Sequence, residues 1–242
     1  MTDQHAWTSE QAASANVPNF GKKYIGEQEL LKMTGDDLVG KKILELGSGN
    51  GYWLKFLAQR GAICTGIEIS DEQLALAASD NPNITLIKGD ITSSTSYPSN
   101  AGQFDIVLLE HVLLEIPTRE QLDAIMKNAF SMLHSGGQLI ISELHPLAPS
   151  LAKEKIRTPD DYSYFSSGTI IEVVSKRIDG QETVYRDVHW TLQDLLGSVV
   201  GAGFLIHDLQ EPRPTEEQAQ QFPDLAYRRF VPMGLWLKAV RT

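Results

Sequence analysis

Between Lys41 and His145 the chain alternates short, almost continuously apolar runs with stretches of helical, amphipathic period. The runs are KKILEL, ICTGIEI, NITLIKG, FDIVLLE and GQLIISEL, and the helical stretches cover Tyr52–Arg60, Asp71–Ser79 and Arg119–Leu133. Strands that stay apolar on both faces need cover on both faces, and helices between successive strands provide it. The expected fold class is α/β, a doubly wound, Rossmann-like and mostly parallel sheet.

Around that core the pattern changes twice. Residues 1–40 form a lead-in of polar and aromatic residues with a short helical pattern over Glu27–Leu38. After His145-Pro146 the alternation breaks: Gly168–Arg177 and Gln181–Val188 flank Asp179-Gly180, the signature of a β-hairpin with a tight turn. The segment 146–190 is therefore an inserted β-hairpin cap. Residues 191–242 resume the α/β pattern with a helix over Leu192–Val200, the run FLIHDL and a last strand within 231–240. The Pro-, Glu- and Gln-rich stretch 212–230 reads as a solvent-facing excursion. With no internal repeat and no clean boundary, all 242 residues are expected to form one domain.

The loop after the first run reads ILELGSGNG, an apolar strand running into Gly47, Gly49 and Gly51 and then into a helix. Such glycines permit a tight turn with close backbone approach, and a helix start offers free N–H groups to a ligand. The dinucleotide pattern G-x-G-x-x-G fails here, because Tyr52 stands at its third glycine. The match is to G-x-G-x-G preceded by an acid, Glu45. Glu68 ends the second strand, where a carboxylate can hold a ribose diol. Asp90 ends the third, where it can accept from the exocyclic amine of adenine while the Ile91 backbone meets the ring. Three nucleoside-directed features at three successive strand ends point to one ligand.

With these residues in order, the segment 41–145 resembles the class I S-adenosylmethionine-dependent methyltransferases. The resemblance implies S-adenosylmethionine as cofactor, held by Glu45, Gly47, Ser48, Gly49 and Gly51, by Glu68 with Ile69, by Asp90 with Ile91, and by Glu110 in the segment after the fourth strand. Beyond the core, His145-Pro146, HWTL at 189–192 and AGFLIHDLQEPRP at 202–214 are similar to a group of small-molecule methyltransferases, although Trp190 stands where that group has Arg. The expected activity is methyl transfer to a nitrogen or oxygen of a small molecule. The alternatives are a non-catalytic cofactor-binding partner or regulatory subunit, and an NAD-dependent oxidoreductase.

What is absent narrows the chemistry. LLEHVLLEI after the fourth strand holds no Asn/Asp-Pro-Pro-aromatic segment, which disfavours nucleobase or glutamine-amide nitrogens. No cluster of Asp and Asn marks a magnesium site, so no metal is expected. A net charge of −10, from 21 basic and 31 acidic residues, argues against nucleic-acid partners. No apolar run approaches the ~18 residues of a membrane span, and the sole cysteine, Cys64, lies inside a strand. A cytoplasmic monomer or homodimer is expected. An oxygen acceptor gains from a base with a near-neutral pKa. His111 and His145 follow the fourth and fifth strands, and His189 ends the hairpin, so these three are the candidate bases. His5, His134 and His207 read as structural. Tyr24, Tyr164 and Phe165 are candidate walls for the acceptor under a lid formed by the lead-in and the cap.

Overall fold

The computed structural model of the protein describes residues 18–78, 81–99 and 101–242. His5 and Ser79, named above, lie outside them. After a π-helical turn at Lys22–Gly26 come α1 (Glu27–Thr34), β1 (Lys42–Leu46), α2 (Tyr52–Ala58), β2 (Ile63–Glu68), α3 (Asp71–Ala77), β3 (Ile84–Lys88), β4 (Phe104–Glu110), α4 (Arg119–Met132) and β5 (Leu133–Leu144). The cap contributes α5 (Ala148–Leu151), β6 (Ile156–Arg157), β7 (Ile170–Lys176) and β8 (Glu182–Val188). The chain closes with α6 (Leu192–Gly201), β9 (Phe204–Gln210), α7 (Glu216–Gln221), a 3₁₀ segment at Pro223–Arg229 and β10 (Gly234–Arg241).

The main sheet runs β3-β2-β1-β4-β5-β10-β9. Its first five strands are parallel, and β10 is antiparallel to both β5 and β9. The strand order reverses between β1 and β4, so a crevice opens outside the carboxyl ends of these strands. β1 shows why the runs read as unbroken apolar stretches. Leu44 and Leu46 belong to the core shared with Leu122, Ile125 and Val199 of α4 and α6, while Ile43 packs with Leu30, Trp53 and Leu57 of α1 and α2. Successive residues point to opposite faces, and both faces are covered.

Local chemistry sets the helix starts. Ser70 accepts from the Gln73 N–H at the start of α3, and Thr118 from the Gln121 N–H at the start of α4. Thr191 with Asp194 and Thr215 with Gln218 form capping boxes on α6 and α7. Arg119 of α4 donates to Asp194 at 3.0 Å, tying the two helices of that face together.

The cap is a second, antiparallel sheet of order β6-β7-β8. Its tip is stitched to the lead-in by a bridge between Asn19 and Arg177 and by the Ile178 N–H donating to Pro18 O at 3.2 Å. The stretch 212–230 faces solvent only in part: α7 buries no residue, while the segment from Asp224 to Arg228 turns inward. Leu225 is 1% exposed, Lys176 pairs with Asp224 at 3.1 Å, and Gln218 donates to Tyr24 O at 3.0 Å. Asp224, Tyr227 and Arg228 line a cavity, and composition alone does not distinguish a polar cavity from water. The other departures are at element ends: the lead-in helix begins at Lys22, and β5 begins at Leu133, carrying Gly136 at φ 83° through what reads in sequence as a turn.

Candidate active site

A cavity of about 470 Å³ lies outside the carboxyl ends of β1–β4, roofed by the lead-in, the cap hairpin and the segment 212–228. Glu45, Gly47, Ser48, Gly49, Glu68, Ile69, Asp90, Ile91, Glu110 and His111 all line it. Ten positions expected from the sequence are thus brought together. Gly51 lies behind the loop, where a Cβ would stand 3.0 Å from Ala77 Cβ, so its role is to let α2 and α3 approach.

The glycine loop is held by its neighbours. The Gly47 and Ser48 N–H groups both donate to Ile67 O, at 2.8 and 3.1 Å. Glu68 Oε2 accepts from the Gly49 N–H at 2.8 Å, and Oε1 accepts from the Ile69 and Ser70 N–H groups at 2.9 Å each. Glu68 therefore clamps the loop as well as facing the cavity. Glu68→Ala is expected to cost about 1–3 kcal/mol in cofactor affinity and to lower the melting temperature as well, because three half-buried backbone hydrogen bonds lose their acceptor. Calorimetry with S-adenosylhomocysteine, paired with thermal unfolding, checks both. Asp90 Oδ1 accepts from the N–H and hydroxyl of Thr92 at 2.8 Å, forming an Asx turn that fixes the carboxylate at the cavity edge.

The electrostatics suit a cation. Burial pushes the Glu45 carboxyl well above its usual range, against the pull of Lys22, and Glu110 and Glu68 push the same way. One of its oxygens, Oε2, is buried with no hydrogen-bond partner. Glu110 differs: burial opposes its ionisation, but Lys22 and His111 outweigh that and lower its pKa. The Lys22 ammonium donates to Glu110 Oε2 at 3.0 Å and lies 4.9 Å above the Tyr52 ring and 5.3 Å from that of Trp53. This crowd of carboxyls with one orphaned oxygen fits a ligand bearing a sulfonium and an ammonium.

The candidate bases separate. His111 lines the cavity with φ 51° and faces Glu110 at 3.7 Å. Desolvation lowers its pKa against the pull of Glu110, and Lys22 and Arg228 lower it further, so it stays neutral. His145 and His189 are not at this cavity. His145 is 2% exposed, its Nδ1 accepts from the Leu147 N–H at 3.1 Å and its Nε2 meets Glu211 at 2.8 Å. The reason is topological: antiparallel β10 continues the pairing past the end of β5, with the His145 N–H donating to Met233 O. His189 Nε2 is hydrogen-bonded to Tyr164 O at 2.7 Å, and the ring packs edge-on against Tyr162.

The expected aromatic walls are elsewhere too. Tyr24 stacks on Phe222 with centroids 4.0 Å apart, the Tyr164 hydroxyl accepts from the Leu192 N–H, and Phe165 is 83% exposed. Tyr185, Tyr227, Met233 and Trp236 line the cavity instead. Trp190 is buried core, donating to Ile116 O at 3.2 Å. Cys64 is buried and free, its thiol pushed up to about 12 by burial and then by Glu45, so it is not a nucleophile.

Among the cavity residues that escaped the sequence reading, one is acidic and buried in the cap. Asp187 of β8 is 7% exposed, and burial, reinforced by Glu115, raises its carboxyl to about 7. Strand periodicity could have found it, because Tyr185 and Asp187 share one face of the hairpin strand.

Comparison with known proteins bears on the domain and the fold. Residues 43–137 match a family model described as a methyltransferase domain. A ubiquinone biosynthesis O-methyltransferase of Psychrobacter cryohalolentis is 33% identical over 112 residues, 45% of this chain and 42% of that protein. The chain thus spans about two-fifths of the length of the curated relatives it matches first. Among solved structures, an S-adenosylmethionine-dependent methyltransferase from Mesorhizobium loti superposes with a TM-score of 0.66 at 21% identity, covering 89% of this chain and 97% of the other. The CcbJ methyltransferase of Streptomyces caelestis superposes at 0.61 with 18% identity, over 88% of each chain. Residues 43–137 thus carry a methyltransferase domain, and the fold of the chain is that of the S-adenosylmethionine-dependent methyltransferases it superposes on. The glycine loop and the strand-end acids line the cavity where S-adenosylmethionine, the cofactor named for the Mesorhizobium loti structure, would fit.

Proposed function

We propose that the protein methylates a hydroxyl group of a small molecule, with Asp187 as the general base. The observation that carries this reading is Asp187 itself, a carboxyl raised to about 7 in the same cavity that the nucleoside-directed acids line. Bound at those acids, S-adenosylmethionine supplies an electrophilic methyl group. The chain's own residues do the rest. Tyr185, Met233 and Trp236 orient the acceptor, and the lead-in stitched to the cap keeps water out, so alignment contributes much of the rate. As the acceptor oxygen attacks, its proton passes to the Asp187 carboxylate, whose pKa lies near the operating pH, the condition for an efficient base. The β8 strand packs against the turn Leu113–Glu115 that follows β4, which brings Asp187 toward the Glu110-His111 end of the cofactor site. His111, neutral and in the same cavity, serves as a polar neighbour to the acceptor.

The named relative is an O-methyltransferase, which supports oxygen over nitrogen for this chain as well. Methyl-labelled S-adenosylmethionine, offered with matched pairs of small hydroxyl and amine compounds, tests the proposal. Label is expected as methyl ether on hydroxyl compounds. Label confined to the amines would replace the oxygen acceptor with nitrogen, and no transfer to any compound would favour the non-catalytic alternative.

A further inference from the structure

The protein carries a net charge of −10, yet the acceptor end of the cavity is lined by Lys155, Lys176, Arg177 and Arg228. Two of the four have carboxylate partners. Lys176 pairs with Asp224 at 3.1 Å, and Arg177 pairs with Asp179 through Nη2 while its Nε is buried with no acceptor. The other two have no carboxylate within ion-pair distance among the described residues. Arg228 donates from Nε to the Tyr227 hydroxyl at 3.3 Å and lies 5.8 Å from that ring, and the Lys155 ammonium lies 6.0 Å from the same ring. Gly21 makes room for the guanidinium, since a Cβ there would stand 2.2 Å from Arg228 Nη1. The field of Arg228 also reaches the cofactor end, where it helps to lower the pKa of His111.

A guanidinium and an ammonium facing a roofed cavity are costly to desolvate when an acceptor fills it, unless the acceptor brings the opposite charge. None of the cavity's acids forms an ion pair with Arg228 or Lys155 among the described residues; Asp224 is engaged by Lys176, and burial raises the Asp187 carboxyl to about 7. We propose that the methyl acceptor carries an oxyanion, a carboxylate or a phosphate, bound by Arg228 with Lys155 against the Tyr227 ring, its hydroxyl directed to Asp187. The planar guanidinium can hold either group through two parallel hydrogen bonds, and the ammonium adds a second positive charge. This proposal rests on the small-molecule reading above and names the substrate class.

Binding tests it without knowing the acceptor. Protein loaded with S-adenosylhomocysteine is titrated in a calorimeter with benzoate against benzamide and with phenyl phosphate against phenol. The anionic member of at least one pair is expected to bind about tenfold or more tightly than its neutral partner, a preference carried by a charge-assisted pair. The first pair reports a carboxylate site and the second a phosphate site. Arg228→Gln is expected to remove most of that preference, and Arg228→Gln with Lys155→Met all of it, with S-adenosylhomocysteine affinity unchanged within about twofold. Equal binding or no binding of both members in both pairs overturns the proposal, as does an anion preference that survives the double substitution. If S-adenosylhomocysteine itself fails to bind, the cofactor reading fails first, and that outcome is visible before any acceptor analogue is added.

Discussion

Replacing Asp187 by Asn is expected to slow methyl transfer by about 10²- to 10⁴-fold, the range for removing a positioned base, while cofactor affinity holds within about twofold. The wild-type rate should rise with pH through about 7 and level off above it, because only the ionised Asp187 carboxylate accepts the proton. In Asp187→Asn that rise should vanish. Stability should move the other way. Burial raises Asp187 from 3.8 to about 7, so the folded state favours the neutral carboxyl. That contribution is fully present below the unfolded value and is lost as pH climbs through about 7. Three units at 1.36 kcal/mol each make it roughly 4 kcal/mol, an upper figure for a group with some access to the cavity. The Asn variant, neutral at every pH, should therefore be more stable than the wild type at pH 8 and should lose that advantage near pH 4. A slower but more stable enzyme at pH 8 is the signature of a buried base. Turnover within about twofold of wild type would leave catalysis to alignment alone.

Most of the cofactor half was legible because its features are backbone features. Glycines where a strand turns into a helix, and acids at strand ends, leave marks that do not depend on distant parts of the chain. Nine of the ten expected cofactor positions line the cavity, Gly51 being the exception. The acceptor half was not legible, because it is assembled from segments far apart in sequence. His145 stands after β5 as expected, but β10 returns from the far end of the chain and covers it, and Glu211 takes its free nitrogen. His189 and Asp187 are two residues apart on one strand, yet the first ends against Tyr164 O and the second in the cavity. Tyr227 and Arg228 sit in a stretch whose polarity reads as surface, and only the pairing of Lys176 with Asp224 and the packing of Leu225 reveal that it faces inward.

Gly47→Ala is expected to weaken S-adenosylhomocysteine binding by about a hundredfold or more, roughly 3 kcal/mol. Gly47 has φ 69°, and an added Cβ would stand 2.3 Å from Val112 Cγ2. Left-handed backbone costs an alanine about 1–2 kcal/mol, and Val112 is a β-branched side chain with little freedom to step aside. The loop after β1 and the loop after β4 must then move apart, and both line the cofactor end. Gly49→Ala separates the two causes. It carries φ 51°, but its Cβ would meet nothing nearer than Gln73 Oε1 at 3.9 Å, so it should bind more tightly than Gly47→Ala while suffering similar backbone strain. Combining Gly47→Ala with Val112→Ala should recover part of the loss.

All of this depends on the strand-end cavity being the seat of a sulfur nucleoside, and one calorimetric comparison addresses that directly. Wild-type protein titrated with S-adenosylhomocysteine should give a saturable one-site isotherm, with no heat from NAD under the same conditions and with the S-adenosylhomocysteine signal collapsing in Gly47→Ala while that variant stays folded. Saturable heat from NAD with none from S-adenosylhomocysteine, or an isotherm unchanged by Gly47→Ala, would contradict the account.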